Sequence, residues 1–239
     1  MTMRRAMVGV MVAMGVLPAV LAQAAQASAD YDFTYSYPSQ AARIAPLKAW
    51  LDADKARLRA KVAAGAAEFR RMTKREGAPF RKYDASREWQ LVADTPRFLS
   101  LSSSQYQYSG GAHGNTGTGG LLWDKRAGKR IDPKAVFVSV PALQAAVSKP
   151  WCDWLKRERV RRLGSPSTTD DIFGKCPGVK ELTVLLGSSN GKAFDRIGLI
   201  ADQYVAGSYA EGQYEVTLPV TPAVLRAVKP GYRAAFVVR

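Results

Sequence analysis

The 239-residue chain has one histidine, His113, and two cysteines, Cys152 and Cys176. That scarcity excludes the usual zinc sites, which draw three or four ligands mostly from these residue types, and iron–sulfur clusters for the same reason. No metal and no other cofactor is expected. Acids are scarce as well: 20 Asp and Glu stand against 35 Lys and Arg, a formal net charge of +15. Past Ala22 no apolar run is long enough to span a bilayer. Low complexity is missing too. With 47% hydrophobic and 23% charged residues the chain reads as folded, and its length suits one larger domain or two small ones.

What is present begins with a leader. Arg4 and Arg5 precede an uninterrupted apolar stretch from Ala6 to Ala22, followed by the triplets Ala22-Gln23-Ala24, Ala25-Gln26-Ala27 and Ala27-Ser28-Ala29. A charged start, an apolar centre and A-x-A sites describe a secretory signal peptide. Pro18 interrupts the stretch as a spanning helix. Cleavage is expected near Ala24 to Ala29, leaving a periplasmic or secreted protein with no integral membrane span. Removing both leader arginines takes the charge to 33 − 20 = +13. In an oxidising compartment Cys152 and Cys176 are expected to pair as a structural disulfide, since their spacing is not the C-x-x-C of a redox pair.

Along the mature chain, Asp30–Tyr37 alternates aromatic and polar residues as a first strand. A long helix follows from Pro46 to Arg75, with Leu47, Leu51, Leu58, Val62, Phe69 and Met72 near helical spacing. Strand-like runs at Arg87–Ala93, Phe98–Tyr108 and Gly120–Asp124 read as an antiparallel meander. Pro141–Leu163 reads as a second helix, divided at Pro150. Lys180–Leu186 and Lys192–Ala201 flank an Asn190-Gly191 turn. Gln213–Leu218 is a strand, Pro222–Val228 a short helix and Tyr232–Val238 a last strand. Helices and strands do not alternate strictly, so the class is α+β: antiparallel sheets packed with helices.

Candidate chemistry is concentrated in two glycine-bounded segments. The first, Tyr106-Gln-Tyr108-Ser-Gly110-Gly111-Ala-His113-Gly114-Asn115-Thr116, sets the lone histidine in a turn between two strands. The second, Tyr204-Val-Ala-Gly207-Ser-Tyr209-Ala-Glu211-Gly212, joins aromatics, flexible backbone and one acid. Two such loops can form one recognition surface, with Tyr108, Gly110, Gly111, His113, Asn115, Tyr204, Tyr209 and Glu211 as its candidate binding residues. No group to orient His113 as a base is identifiable, so no catalytic residue is assigned. Asp52/Asp54 and Asp170/Asp171 read as solvated helix-start and loop carboxylates. Gly187-x-x-x-Gly191-Lys192 is one residue short of a phosphate loop and lacks its Ser/Thr. The five tryptophans read as core.

These runs carry a family resemblance. YQYSGGAHGNT, followed by LLWDKRAGKRIDPKAVF, resembles the domain family shared by the extracellular region of lysozyme-sensing anti-sigma factors and the N-terminal region of a peptidoglycan polysaccharide deacetylase. FDRIGLIADQYVAGSYAEGQYEVTLPV is similar to the C-terminal half of that domain, and FTYSYP…LKAWL to its N-terminal companion. The resemblance implies an α+β fold of two closely associated sub-domains, placed here at 30–112 and 113–239 after a signal peptide at 1–29. It also implies a cell-envelope setting and, in the sensor branch, lysozyme binding. Only five residues precede the apolar run, so no cytoplasmic signalling domain is expected, and the chain ends where a deacetylase domain would begin.

Three functional readings result. The preferred one is a non-catalytic binding module that recognises an envelope component: anionic glycan or peptidoglycan, lipid, or an envelope protein. The basic run Lys156–Arg162 beside Trp151 and Trp154 suits an anionic polymer, or else is simply a solvated helix face. The second is an inhibitor or decoy for a lysozyme-type envelope hydrolase, against which the +13 charge counts, since common lysozymes are basic. The third is a hydrolase with His113 as base and a serine from Ser102–Ser104. Nucleic acid is not an expected partner, because export removes it.

Overall fold

The computed structural model describes residues 20–21, 26–164 and 172–239. The expected leader falls largely on residues 1–19 and 22–25, and Asp170/Asp171 on 165–171; both lie outside the described residues. Two short strands, β1 (Val20–Leu21) and β2 (Gln26–Ala27), pair antiparallel with β3 (Tyr31–Pro38). A single turn, α1 (Ser39–Ala42), leads into α2 (Ala45–Glu76). Pro46 sits at the start of α2, where its missing N–H costs nothing. Leu47, Leu51, Val62 and Ala66 are buried, and Gly77 ends the helix in the left-handed region at φ 65°. Met72, expected on the apolar stripe, is 37% exposed, and Thr73 is buried in its stead, its hydroxyl bonded back to the Phe69 carbonyl.

The next strand, β4 (Tyr83–Asp94), lies parallel to β3, with Tyr31 opposite Tyr83. Among the named strand pairs of the described residues it is the one parallel pair in otherwise antiparallel sheets. A parallel neighbour needs a long crossover, which α2 supplies, and no local residue signals it. From β4 the chain runs as the expected meander through β5 (Phe98–Tyr108), β6 (Asn115–Asp124) and β7 (Lys129–Ile131).

Alternation along these strands builds two cores. Leu99, Leu101, Leu121 and Trp123 join Leu47, Leu51 and Trp89 on the α2 face, whereas Phe98 and Leu122 join the cluster on the other face. A bulge between Leu91 and Ala93 shifts the register of β4, which carries Ala93 to the second face. That face is covered by a second sheet of order β10-β9-β8, formed by β8 (Thr183–Gly187), β9 (Arg196–Ala201) and β10 (Tyr214–Pro219). Behind it packs α3 (Val140–Leu163) with α4 (Pro222–Ala227). The fold is α+β. The expected division between residues 112 and 113 coincides with the tip of the β5–β6 hairpin.

Two expectations fail at the C-terminal side. α3 runs unbroken through Pro150. Proline inside a helix costs about 3 kcal/mol, and the buried face Leu143, Val147, Trp151 and Leu155, which spans the site, offsets it. The expected last strand at Tyr232–Val238 is instead a 3-10 turn, Pro230–Ala235, after which Phe236 forms an isolated bridge with Phe194. Phe236 is buried by its ring contacts with Phe137 and Phe194 rather than by a ladder. Cys152 and Cys176 form the expected disulfide, and Trp89, Trp123 and Trp151 are core residues. No helix of the described residues is long and apolar enough to cross a membrane.

Candidate functional site

The β5–β6 hairpin tip is shaped by its glycines. Gly110 takes φ 86°, and a β-carbon there would stand 2.5 Å from the Phe69 ring of α2. Arg81 donates to the Gly111 carbonyl at 3.2 Å, and Gly114 is buried beneath the Tyr106 ring. The chain so held presents His113 to solvent. Its Nδ1 donates to the Gly114 carbonyl at 2.9 Å, which leaves Nε2 without a partner in the hydrogen bonds of the described residues and, in the neutral ring, an acceptor.

The second loop, between β9 and β10, is tied down from three sides. Asp202 accepts from the Thr118 backbone at 3.0 Å, the Thr118 hydroxyl at 2.8 Å and Gln213 at 3.1 Å. Buried Arg159 donates to the Ala206 carbonyl at 2.6 Å, and Arg162 to the carbonyls of Glu211 and Gln213 at 2.8 and 2.7 Å. Glu211 closes the loop by accepting from the Ser208 N–H at 2.7 Å and the Tyr214 hydroxyl at 2.6 Å. Burial opposes its ionisation, but these two donors outweigh it and hold the carboxyl below the usual range. Burial, then Glu211, pushes Tyr214 up to about 12.

The two loops meet. The His113 ring lies 4.2 Å from that of Tyr209 at 34°, Tyr209 is 6.0 Å from Tyr204, and Thr116 donates to Gln203 at 2.6 Å. Tyr204 is 53% exposed and, at φ 66°, is the one non-glycine residue with positive φ among the described residues. Exposed His113 and Tyr204, with half-buried Tyr209 between them, thus make one aromatic surface fed by both segments. The other candidates do not all join it. Glu211 is engaged by its own loop, and Gly110 and Gly111 serve the turn. Tyr108 ends β5 opposite Asp84. Asn115 lines a groove against α2, opposite Gln107. No serine or carboxylate is among the hydrogen-bond partners of His113 in the described residues, nor does any group of three or more His, Cys, Asp or Glu side chains there suit a metal ion.

A polar network on the α2 face escaped the sequence reading. Asp54 is 5% exposed and accepts from Tyr35 at 2.9 Å, Arg57 at 2.6 Å and Arg87 at 2.7 Å. Trp89 donates to the Tyr35 hydroxyl at 2.9 Å, and Arg87 donates to Gln105 at 2.5 Å. Burial, with Asp54 next in weight, pushes the Tyr35 hydroxyl far above its ordinary range, so it remains a proton donor. The available signal was position: Asp54 falls in the Leu47–Leu51–Leu58–Val62 series, a charge on an apolar stripe. Asp52, by contrast, is partly exposed and pairs with Lys48 and Tyr37.

Residues 25–116 match the family described as Deacetylase PdaC. No curated protein matches the sequence. Among solved structures, a DUF3298 family protein from Pseudomonas aeruginosa PAO1 superposes with a TM-score of 0.54 at 17% identity, covering 92% of this chain and 96% of that one. A DUF3298 family member from Bacteroides fragilis gives 0.51 at 15% identity, covering 80% and 81%. The chain therefore joins a segment that matches the PdaC family to a fold shared with the DUF3298 proteins.

Proposed function

We propose that the protein is an exported, non-catalytic module that binds a component of the bacterial cell envelope through the His113–Tyr209–Tyr204 surface. The observation that carries this is the convergence of both loops on one aromatic cluster, with the His113 ring tilted against that of Tyr209 at a centroid distance of 4.2 Å. Such rings offer flat apolar faces to a sugar or an acyl group while the histidine Nε2 accepts a hydrogen bond. The excess of basic residues favours an anionic polymer in that setting. The disulfide fits an oxidising compartment.

Sedimentation of the mature protein with purified peptidoglycan, across a salt series, tests the reading. Binding that weakens with salt and falls several-fold in the His113→Ala/Tyr209→Ala double variant is expected. No co-sedimentation, or full binding by the folded double variant, overturns it.

A further inference from the structure

The β9–β10 side of the second sheet carries a pocket of about 360 Å³ lined by Arg196, Thr217, Leu218, Pro219 and Arg239. It shares no residue with the aromatic surface. Arg196 stands opposite Pro219 and Thr217 opposite Gly198, so Arg196, Thr217 and Pro219 lie on one face of the two strands. Gly198 has no side chain, and nothing from β9 stands beside the Thr217 hydroxyl. Arg239 is brought to the end of β10 by its N–H, which donates to the Val220 carbonyl at 3.0 Å.

Both guanidiniums gather about one buried carboxylate without bonding to it. Asp195 is 4% exposed and already accepts from the Ser189 N–H at 2.9 Å and from the Ser189 hydroxyl. Arg196 Nε and Arg239 Nη1 each stop 3.9 Å from it, beyond hydrogen-bond length. Burial opposes ionisation of Asp195, but the Ser189 bonds and then the two arginines hold its carboxyl below the usual range. The charge of Asp195 thus draws the arginines together and leaves their donors unused. Among the described residues neither guanidinium donates a hydrogen bond, nor does the Thr217 hydroxyl have a partner.

From this arrangement we propose that the pocket is a binding site for a phosphodiester group. Two guanidinium forks and a hydroxyl offer donors from three positions, more than the two coplanar oxygens of a carboxylate use. The tetrahedral oxygens of a phosphoryl group meet all three. Arg196, Arg239 and Asp195 together carry one net positive charge, which the single negative charge of a diester balances. Leu218 and Pro219 supply an apolar ledge for the ester carbons. The volume is near the lower end for ligand sites, about 300 Å³, and so holds one headgroup-sized unit. A phospholipid headgroup and a free glycerophosphodiester share this chemistry.

NMR of the arginine Nε–H groups of the mature protein, titrated with glycerophosphoglycerol, tests it. The Arg196 and Arg239 signals are expected to shift, and acetate at equal ionic strength is expected to leave them in place. Thr217→Val/Arg239→Gln, which alters only exposed side chains, is expected to lower affinity about tenfold, the worth of one charge-assisted hydrogen bond. Arg43→Gln, which removes the same charge outside the pocket, should bind as wild type does. Unshifted arginine signals, or undiminished affinity in the folded double variant, overturn the site. Equal shifts with acetate overturn the phosphodiester assignment. Flotation with phosphatidylglycerol vesicles separates the two sources. A several-fold loss in the double variant but not in Arg43→Gln supports a lipid headgroup, whereas equal flotation of all three with diester binding intact supports the free diester. The pocket stands apart from the envelope-binding reading: His113→Ala/Tyr209→Ala should bind the diester undiminished, and a failed pocket leaves sedimentation with peptidoglycan unaffected.

Discussion

Gly110 carries two demands that no other residue type meets together. Its φ of 86° lies in the left-handed region, and a β-carbon there would enter the Phe69 ring. An L-residue pays about 1–2 kcal/mol for that conformation alone. Gly110→Ala is therefore expected to lower unfolding free energy by at least about 1 kcal/mol in a denaturant titration. Neighbouring Gly111, in the same exposed turn, has open space at its β-carbon position and no positive φ, so Gly111→Ala should be nearly neutral. Equal costs for the two variants would show that the turn, rather than the glycine's conformation, is what matters. At this scale the sequence was readable where backbone chemistry announces itself: glycines flanking a lone histidine marked the loop, and the structure brings His113 to Tyr209. Asp54 was not readable as a buried ion. Its burial depends on Tyr35, Arg87 and Trp89, which arrive from other elements.

Among elements, those whose signals are local were legible. Apolar spacing with Pro46 and Gly77 delimits α2, and the short gaps between β5, β6 and β7 leave only antiparallel neighbours. The parallel β3–β4 pair and the continuity of α3 depend on partners distant in sequence. For α3 those partners are concentrated beside the disulfide. Trp151 Nε1 donates to the Pro177 carbonyl at 3.0 Å, and Arg159 reaches the carbonyls of Gly174 and Lys175, each at 3.4 Å. The segment after α3 is thus held by hydrogen bonds as well as by Cys152–Cys176, and the native arrangement should survive reduction. What reduction removes is the constraint on the unfolded chain, about 3 kcal/mol for a loop of this size. The Cys152→Ser/Cys176→Ser variant is expected to keep the wild-type circular dichroism spectrum while its denaturation midpoint drops accordingly. An unchanged midpoint would mean that the crosslink does not restrict the unfolded ensemble.

For the whole molecule the governing fact is that both cores are built on one sheet. β5 sends Leu99 and Leu101 toward α2 and Phe98 toward Phe194, so removing either cluster strips one face of the same strands. Arg97 adds a polar tie, donating to Asp124 at 3.0 Å and to the Gly231 carbonyl at 3.0 Å while lying over the Phe98 and Tyr232 rings. Two sub-domains divided at the hairpin tip would share the β5–β6 ladder, in which Phe98 to Gln107 pair with Asp124 to Asn115. Neither half could then melt without exposing the other's strands, and unfolding should be a single cooperative transition. Tryptophans provide separate reporters, since Trp50, Trp89 and Trp123 belong to the α2 cluster and Trp151 and Trp154 to the other. Fluorescence of Trp151→Phe/Trp154→Phe reports the first cluster, and that of Trp50→Phe/Trp89→Phe/Trp123→Phe reports the second. Within each variant, that emission is expected to change at the same denaturant concentration as the backbone circular dichroism. An emission midpoint displaced from the backbone transition in either variant would mean that the clusters melt apart. The shared sheet would then be an interface between two independently stable units rather than the common wall of one.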